Sequence, residues 1–381
     1  MPLCCIVPPH MLERLAQSDS KSRRQKALNT LFNTYRLSGE RTIRALTFAS
    51  TSPDTGRRSV YDCRHGVTLS RAILTRTEDG PQSTDESVNR AFDGLGATRD
   101  FYRQVLNRNS IDGNGLRLNA YVHYDRDFQN AYWDGEQMVF GDGDGEIFVD
   151  FTKSLDVIGH ELTHGVTEFT ANLTYHNQPG ALNESMSDVF GVLVKQWANQ
   201  QTAEQADWLI GADILTPGIA GDALRSMKAP GTAYDNEALG RDPQPGHMSG
   251  YVQLPDTSRG DWGGVHINSG IPNHAFYLLA TALGGHAWEA PGHIWHESLK
   301  ASSADTNFQQ FADTTYAKAG LLYGASSKQQ KLVSDAWDAV GIKVAGVNAT
   351  AVETENTLRE LVKQVSQLTA DIASLKAAGK G

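Results

Sequence analysis

The chain has 381 residues, 40% hydrophobic and 20% charged, with a formal net charge of -10. That length can bury a sizeable core, and two lobes with accessory segments is the prior expectation. The acidic balance argues against a nucleic-acid partner, which needs a concentrated basic surface, and no stretch approaches the roughly 20 apolar residues that span a bilayer.

The charge is unevenly placed. Residues 1–50 hold eight of the 34 basic side chains and three of the 44 acidic ones. This basic segment either docks on the acidic body or is simply solvated. Its apolar run from Leu3 to Val7 is short, unpreceded by charge and closed by Pro8-Pro9, which does not fit a secretory signal. Cytoplasmic residence or release by a non-standard route is therefore the expectation. Three cysteines, Cys4, Cys5 and Cys63, form no even disulfide framework. Met11, Leu12 and Leu15, then Leu28, Leu31, Phe32, Tyr35 and Leu37, have helical spacing, so residues 1–50 read as a separate helical unit. A linker rich in Ser, Thr, Pro and Gly comes next, to about residue 57.

Residues 58–155 read as strand-rich. Leu116, Leu118, Ala120, Val122 and Tyr124 alternate, as do Met138 and Phe140, then Ile147, Val149 and Phe151. GDGDG at 141–145 lacks the Gly-Lys-Ser/Thr of a phosphate loop and the spacing of an EF-hand, so it reads as a glycine-permitted turn. From Leu155 to about residue 344 the period is mostly helical, with helices expected over 155–170, 180–198, 272–284 and 305–322. Strands first and helices after give an α+β class, with lobes meeting near residue 155. In the tail (345–381), Leu358, Leu361, Val365, Leu368, Ile372 and Leu375 have heptad spacing. Residues 352–378 are either an amphipathic helix lying on the body or a self-associating coiled coil.

His160-Glu161-Leu162-Thr163-His164 is HExxH, with two histidines one helical turn apart on one face, so both rings reach one Zn2+. A catalytic zinc needs three protein ligands and one open position. Asn183-Glu184-Ser185-Met186-Ser187-Asp188 lies on a second expected helix. Glu184 is the candidate third ligand, and Asp188, four residues on, is placed to orient a ligand histidine.

With these motifs the sequence resembles the thermolysin family of metalloendopeptidases. The likeness runs through NAYWDGEQMVFGDGDG (130–145), SLDVIGHELTHGVTEFTANLTYHNQPGALNESMSDVFG (154–191), LRSM (224–227) and GGVHINSGIPNHAF (263–276). The short precursor segment is most similar to the protealysin-like branch. The resemblance implies two lobes, β-rich then α-helical, with zinc in the cleft between them and residues 1–50 as an intramolecular inhibitory prosegment. It implies cleavage of peptide or protein substrates on the amino side of bulky hydrophobic residues, by Glu-assisted attack of zinc-bound water. Glu161 would be the general base, His266 and Tyr175 oxyanion donors, and Asp261 the residue orienting His266. Asn130, the Ala131 backbone and Arg225 would hold the substrate main chain. Self-processing is expected between about 44 and 56.

The sequence departs from the family at two places. Lys195, Leu209 and Ala212 replace carboxylates of a calcium site, so the Lys195 ammonium is expected to pair with Asp156, Asp207 or Asp213 in place of the ion. Thr216, Ile219 and Asp222 keep the donors for one Ca2+. The branch carries Pro-Pro-Tyr where this chain has Pro8-Pro9-His10, and His10 either approaches the zinc or packs where the tyrosine would. A thiolate of Cys4 or Cys5 on the zinc is a further option. The alternative of another class is an inactive metallopeptidase-like binding or assembly module acting through the C-terminal helix.

Overall fold

A computed structural model describes residues 4–45 and 56–345. The N-terminal segment folds as β1 (Cys4–Cys5), α1 (Pro9–Leu15) and α2 (Lys21–Ala45). Pro9 starts α1 where its fixed φ and missing N–H cost nothing. The next lobe comprises β2 (Arg58–Asp62), β3 (Ile73–Thr77), α3 (Glu86–Leu106), β4 (Leu118–Val122), β5 (Ala131–Trp133) and β6 (Met138–Phe140). One mixed sheet has the order β1-β5-β6-β4-β2-β3, parallel at β2–β4 and β4–β6 and antiparallel elsewhere. Cys4 pairs with Trp133 and Cys5 with Tyr132, so the N-terminal segment supplies the strand at the β5 edge.

That segment is not a separate unit with its own core. Ile6, Val7, Met11, Leu12, Leu15 and Ala27 are buried in the same apolar cluster as the two lobes. Its positive charge is used in docking: Lys26 lies 3.3 Å from Glu146 and 3.7 Å from Asp127, and Arg41 lies 2.9 Å from Glu168. Exposed pairs of this kind contribute little each. The buried Arg41 and the apolar side chains carry more of the attachment.

The second lobe begins with α4 (Leu155–Glu168) and α5 (Asn177–Ala198). Four two-residue strands come next, β7 (Leu209–Ile210), β8 (Arg225–Ser226), β9 (Asp235–Asn236) and β10 (Gly240–Arg241), in place of continuous helix. Helices resume with α6 (Asp261–Asn268), α7 (Gly270–Leu283), α8 (Ala290–Ala301), α9 (Phe308–Tyr323) and α10 (Lys328–Ala339). Two local expectations differ from the structure. α3 is a 21-residue helix inside the lobe read as strand-rich. The alternation at Ile147, Val149 and Phe151 forms no strand: Asp144 accepts the N–H groups of Glu146, Ile147 and Phe148 and turns the chain instead. GDGDG is a turn, with Gly143 and Gly145 at φ of 70°.

α4 and α5 pack closely because glycine faces glycine. A Cβ on Gly159 would lie 3.0 Å from the Gly191 Cα. A Cβ on Gly191 would lie 2.5 Å from the Asp156 carbonyl oxygen and 2.9 Å from the His160 nitrogen. Gly191→Ala is expected to force the helices apart and lower stability by about 1–3 kcal/mol, as overpacking does. A thermal melt measures this, and an unchanged Tm would show that the contact is not tight.

Candidate active site

α4 presents His160 and His164 on its buried face, and α5 brings Glu184 opposite them. The two Nε2 atoms are 3.1 Å apart, and Glu184 oxygens lie 3.5 Å from each. Asp188 accepts from His160 Nδ1 at 2.8 Å, and Asn183 Oδ1 accepts from His164 Nδ1 at 2.8 Å. Each ring's proton is thereby fixed on Nδ1, leaving two bare Nε2 lone pairs facing each other beside a carboxylate. Such an arrangement is repulsive unless a cation sits among them. Glu184 Oε2 has no hydrogen-bond partner although it is buried. The separations also match two ligands about 2.0–2.1 Å from one tetrahedral ion, roughly 3.3 Å apart. The residues fit zinc. Among the described residues, His160, His164 and Glu184 are the one group of three or more His, Cys, Asp or Glu placed to hold a metal, so neither Cys4 nor Cys5 joins it.

Asn183 was not singled out from the sequence. It does for His164 what Asp188 does for His160, and the signal was its place next to Glu184 in the second motif. Burial drives the His164 pKa well below the ordinary value, with the neighbouring His160 adding to the effect. Asp188 is held well below the carboxylate range despite burial, because Arg225 lies against it. Arg225 Nε and an Arg225 terminal nitrogen each donate to Asp188 at 2.9 Å.

Glu161 follows His160 on α4 and reaches β5. Its Oε2 accepts from the Trp133 N–H of β5 at 3.0 Å, and its Oε1 has no hydrogen-bond partner. Burial, and then the charge of Glu184, push its pKa well above the ordinary range. Gly165, one residue beyond the motif, leaves room for the Trp133 ring and Ile111.

His266 sits on α6, whose first turn takes left-handed backbone at Trp262, Gly263 and Gly264. Asp261 accepts from both His266 Nδ1 at 2.6 Å and the His266 N–H at 2.9 Å, which orients the ring. Burial opposes its charge, but Asp261 and Glu184 outweigh this and raise it to about 9. The Tyr175 hydroxyl donates to Glu184 and lies 3.2 Å from His266 Nε2.

The cleft is filled by the chain's own N-terminal segment. The Cys5 carbonyl oxygen lies 3.1 Å from His266 Nε2. Ile6 donates to the Ala131 carbonyl at 3.3 Å and its own carbonyl accepts from Arg225 at 3.0 Å. Val7 N–H donates to Asn130 Oδ1 at 3.0 Å, and Asn130 Nδ2 donates to the Val7 carbonyl at 3.2 Å. Every residue expected to grip a substrate backbone grips these residues.

Two family profiles match the chain: thermolysin metallopeptidase, catalytic domain, over residues 21–168, and thermolysin metallopeptidase, alpha-helical domain, over residues 171–342. The chain belongs to the thermolysin family. It is similar to an extracellular metalloprotease of Pectobacterium carotovorum subsp. carotovorum, 47% identical over 90% of this chain and 97% of that one. It is also similar to thermolysin of Alicyclobacillus acidocaldarius, 43% identical over 74% of this chain and 50% of that one. The precursor of protealysin, a metalloproteinase from Serratia proteamaculans, superimposes with a TM-score of 0.80 at 47% identity, covering 89% of this chain and 99% of its own. This protein is accordingly a zinc metalloendopeptidase made as a precursor, on the protealysin-like branch of the thermolysin family. No helix among the described residues is long and apolar enough to cross a membrane.

The departures from the family also have structural outcomes. Lys195 Nζ lies 3.3 Å from Asp156 and 3.0 Å from Asp207. Burial opposes its charge, but Asp156 and Asp207 raise its pKa. In the other loop, Thr216 donates its hydroxyl to the Glu146 carbonyl at 2.8 Å, and Asp222 is exposed. His10 does not join the metal group: its Nε2 lies 3.1 Å from the Tyr234 hydroxyl, and burial lowers its pKa to about 4. Asp261 favours the charged form, while His266 and Arg225 disfavour it.

His10 gives docking a pH dependence. Above about pH 6.5 it is neutral whether docked or free, so it costs nothing. Below that the free segment gains a proton that the docked one refuses until about pH 4. Docking is expected to weaken over that window, by about 3 kcal/mol at its acid end. Dissociation of the segment from linker-cut protein, monitored by gel filtration from pH 7.5 to 4.5, should show this for the parent and much less for His10→Phe. Equal pH profiles would assign the effect to other groups.

Proposed function

We propose that the cleft cuts peptide bonds on the amino side of bulky hydrophobic residues, and that residues 1–50 inhibit it by lying where the substrate main chain would lie. The observation that carries this reading is the set of grips from His266, Ala131, Arg225 and Asn130 on Cys5, Ile6 and Val7. An extended chain so held cannot be shared with a second peptide.

A zinc ion held by His160, His164 and Glu184 would supply Lewis-acid chemistry, making water more acidic and a carbonyl more electrophilic. Glu161 is the general base that takes the proton from the attacking water and delivers it to the leaving nitrogen. His266 and Tyr175 donate to the oxygen that gains charge, where fixed donors in a dry site act most strongly. Asp261 keeps His266 aimed. Asp188 and Asn183 hold the ligand histidines in the right tautomer. Arg225 and Asn130 fix the backbone beyond the cut. The self-processing window from about 44 to 56 lies almost entirely outside the described residues. So does the 352–378 segment needed for self-association or for the inactive-module alternative, which no finding favours. Release by a non-standard route fits the name of the extracellular relative, and activity in culture medium against cell fractions decides between release and cytoplasmic retention.

Glu161→Gln is expected to keep its zinc while kcat on a peptide falls by roughly 10²–10⁴. Linker-cut parent should be active and intact parent inactive. A zinc-loaded mutant as active as the parent would remove Glu161 from the mechanism, and intact parent active before any cleavage would end the inhibitory role.

We also propose that Lys195 substitutes for calcium beside Asp156, and that the one calcium candidate is the Thr216, Ile219 and Asp222 loop, supported by its hydroxyl, carbonyl and carboxylate donors. Lys195→Met leaves a buried carboxylate uncompensated and should cost about 3 kcal/mol, read from chemical denaturation. Calcium that raises the Tm of the parent but not of Asp222→Asn would place the ion in the loop. No calcium effect on the parent would remove that site.

A further inference from the structure

The N-terminal segment does more than cover the cleft: it lies across the chemistry in a definite register. The carbonyl opposite His266 Nε2, at 3.1 Å, is that of Cys5. The next N–H, of Ile6, donates to the Ala131 carbonyl of β5, the strand whose Trp133 N–H donates to Glu161. The next carbonyl, of Ile6, is held by Arg225, and both backbone groups of Val7 are held by Asn130. One peptide bond thus has the oxyanion donor on its carbonyl, while its nitrogen pairs with the same strand that Glu161 meets. That bond is Cys5–Ile6. The residue on its carboxyl side, Ile6, is a bulky apolar side chain buried completely, which is the type a cleavage on the amino side of such residues requires. Antiparallel pairing of Cys4 and Cys5 with Trp133 and Tyr132 extends the same strand on the other side of the bond.

We infer that Cys5–Ile6 is a substrate bond of this enzyme, cut within its own docked chain. This rests on the reading given under the proposed function. Water adds through oxygen to the Cys5 carbonyl carbon, and Glu161 accepts one of its protons. The carbon–nitrogen bond breaks, and the Ile6 nitrogen leaves as an amine carrying the proton that Glu161 returns, while the other proton of the water passes from the new carboxyl group to that amine or to solvent. The products are a short peptide ending in a Cys5 carboxylate and a prosegment beginning at Ile6. The new amine stays beside the Ala131 carbonyl, while Arg225 and Asn130 still hold Ile6 and Val7, and the buried side chains of α1 stay in the common core. The trimmed prosegment therefore remains docked, and this cut differs from removal of the prosegment at the linker.

The test uses the zinc-loaded full-length chain, kept reduced. New α-amines are labelled and identified by mass spectrometry over time at several protein concentrations. The expected result is an N-terminus at Ile6 that appears with a rate independent of dilution, together with a released peptide ending at Cys5. Glu161→Gln should yield neither. Ile6→Phe should still be cut at this bond, while Ile6→Asp should be cut at least tenfold more slowly. Linker-cut enzyme from both variants should keep parental activity on an external peptide, which shows that the catalytic lobes are folded. Absence of the Ile6 terminus while linker-cut parent hydrolyses that peptide overturns the inference and leaves the proposed function standing. A rate that rises with protein concentration assigns the cut to a second molecule and overturns it too. If linker-cut parent hydrolyses nothing, the proposed function itself fails.

Discussion

The structure depends on how closely α4 and α5 approach at Gly159 and Gly191. Three ligand atoms must converge to within a few ångströms of one point, and they come from two helices. Helices usually pack 8–10 Å apart, set by the side chains at their contact. With glycine on both sides the backbones close in, and Glu184 reaches the same point as His160 and His164. The residues around Glu184 in the second motif serve that convergence. Asn183 and Asp188 flank the ligand on α5, and each spends its side chain on one histidine of α4.

The N-terminal segment is attached by the same features that define the active site. Its backbone is gripped at Cys5, Ile6 and Val7, its first helix buries Met11, Leu12 and Leu15 in the common core, and its Lys26 meets acidic side chains of the first lobe. Backbone recognition is indifferent to side-chain identity. Attachment of such a segment therefore depends on tethering and on the buried apolar contacts around it.

Much of the site was legible because its chemistry is local in sequence. HExxH and NExxSD each place their key residues one helical turn apart, so periodicity alone aligned them. The lobe order was legible from the change of period near Leu155. α3 was obscured because Gly94 and Gly96 interrupt its apolar pattern; they are there to let Ile158 and Arg58 pack against the helix. The short strands between residues 209 and 241 are two residues each, too brief to show a period. The Arg225–Asp188 pair joins residues 37 positions apart and had no local signal. The register of Cys5 and Ile6 was equally invisible, since it is written in main-chain hydrogen bonds that any sequence can make.

Arg225 divides its guanidinium between two tasks: two nitrogens hold Asp188, which holds His160, and the third holds the Ile6 carbonyl. The docked Ile6 backbone is thus wired through a single cation to the partner of a metal-ligand candidate, His160. Redesigning selectivity by changing that arginine would disturb the metal centre at the same stroke. A change of selectivity that spares the metal centre therefore has to be made in the walls around the clamp and not in the clamp itself.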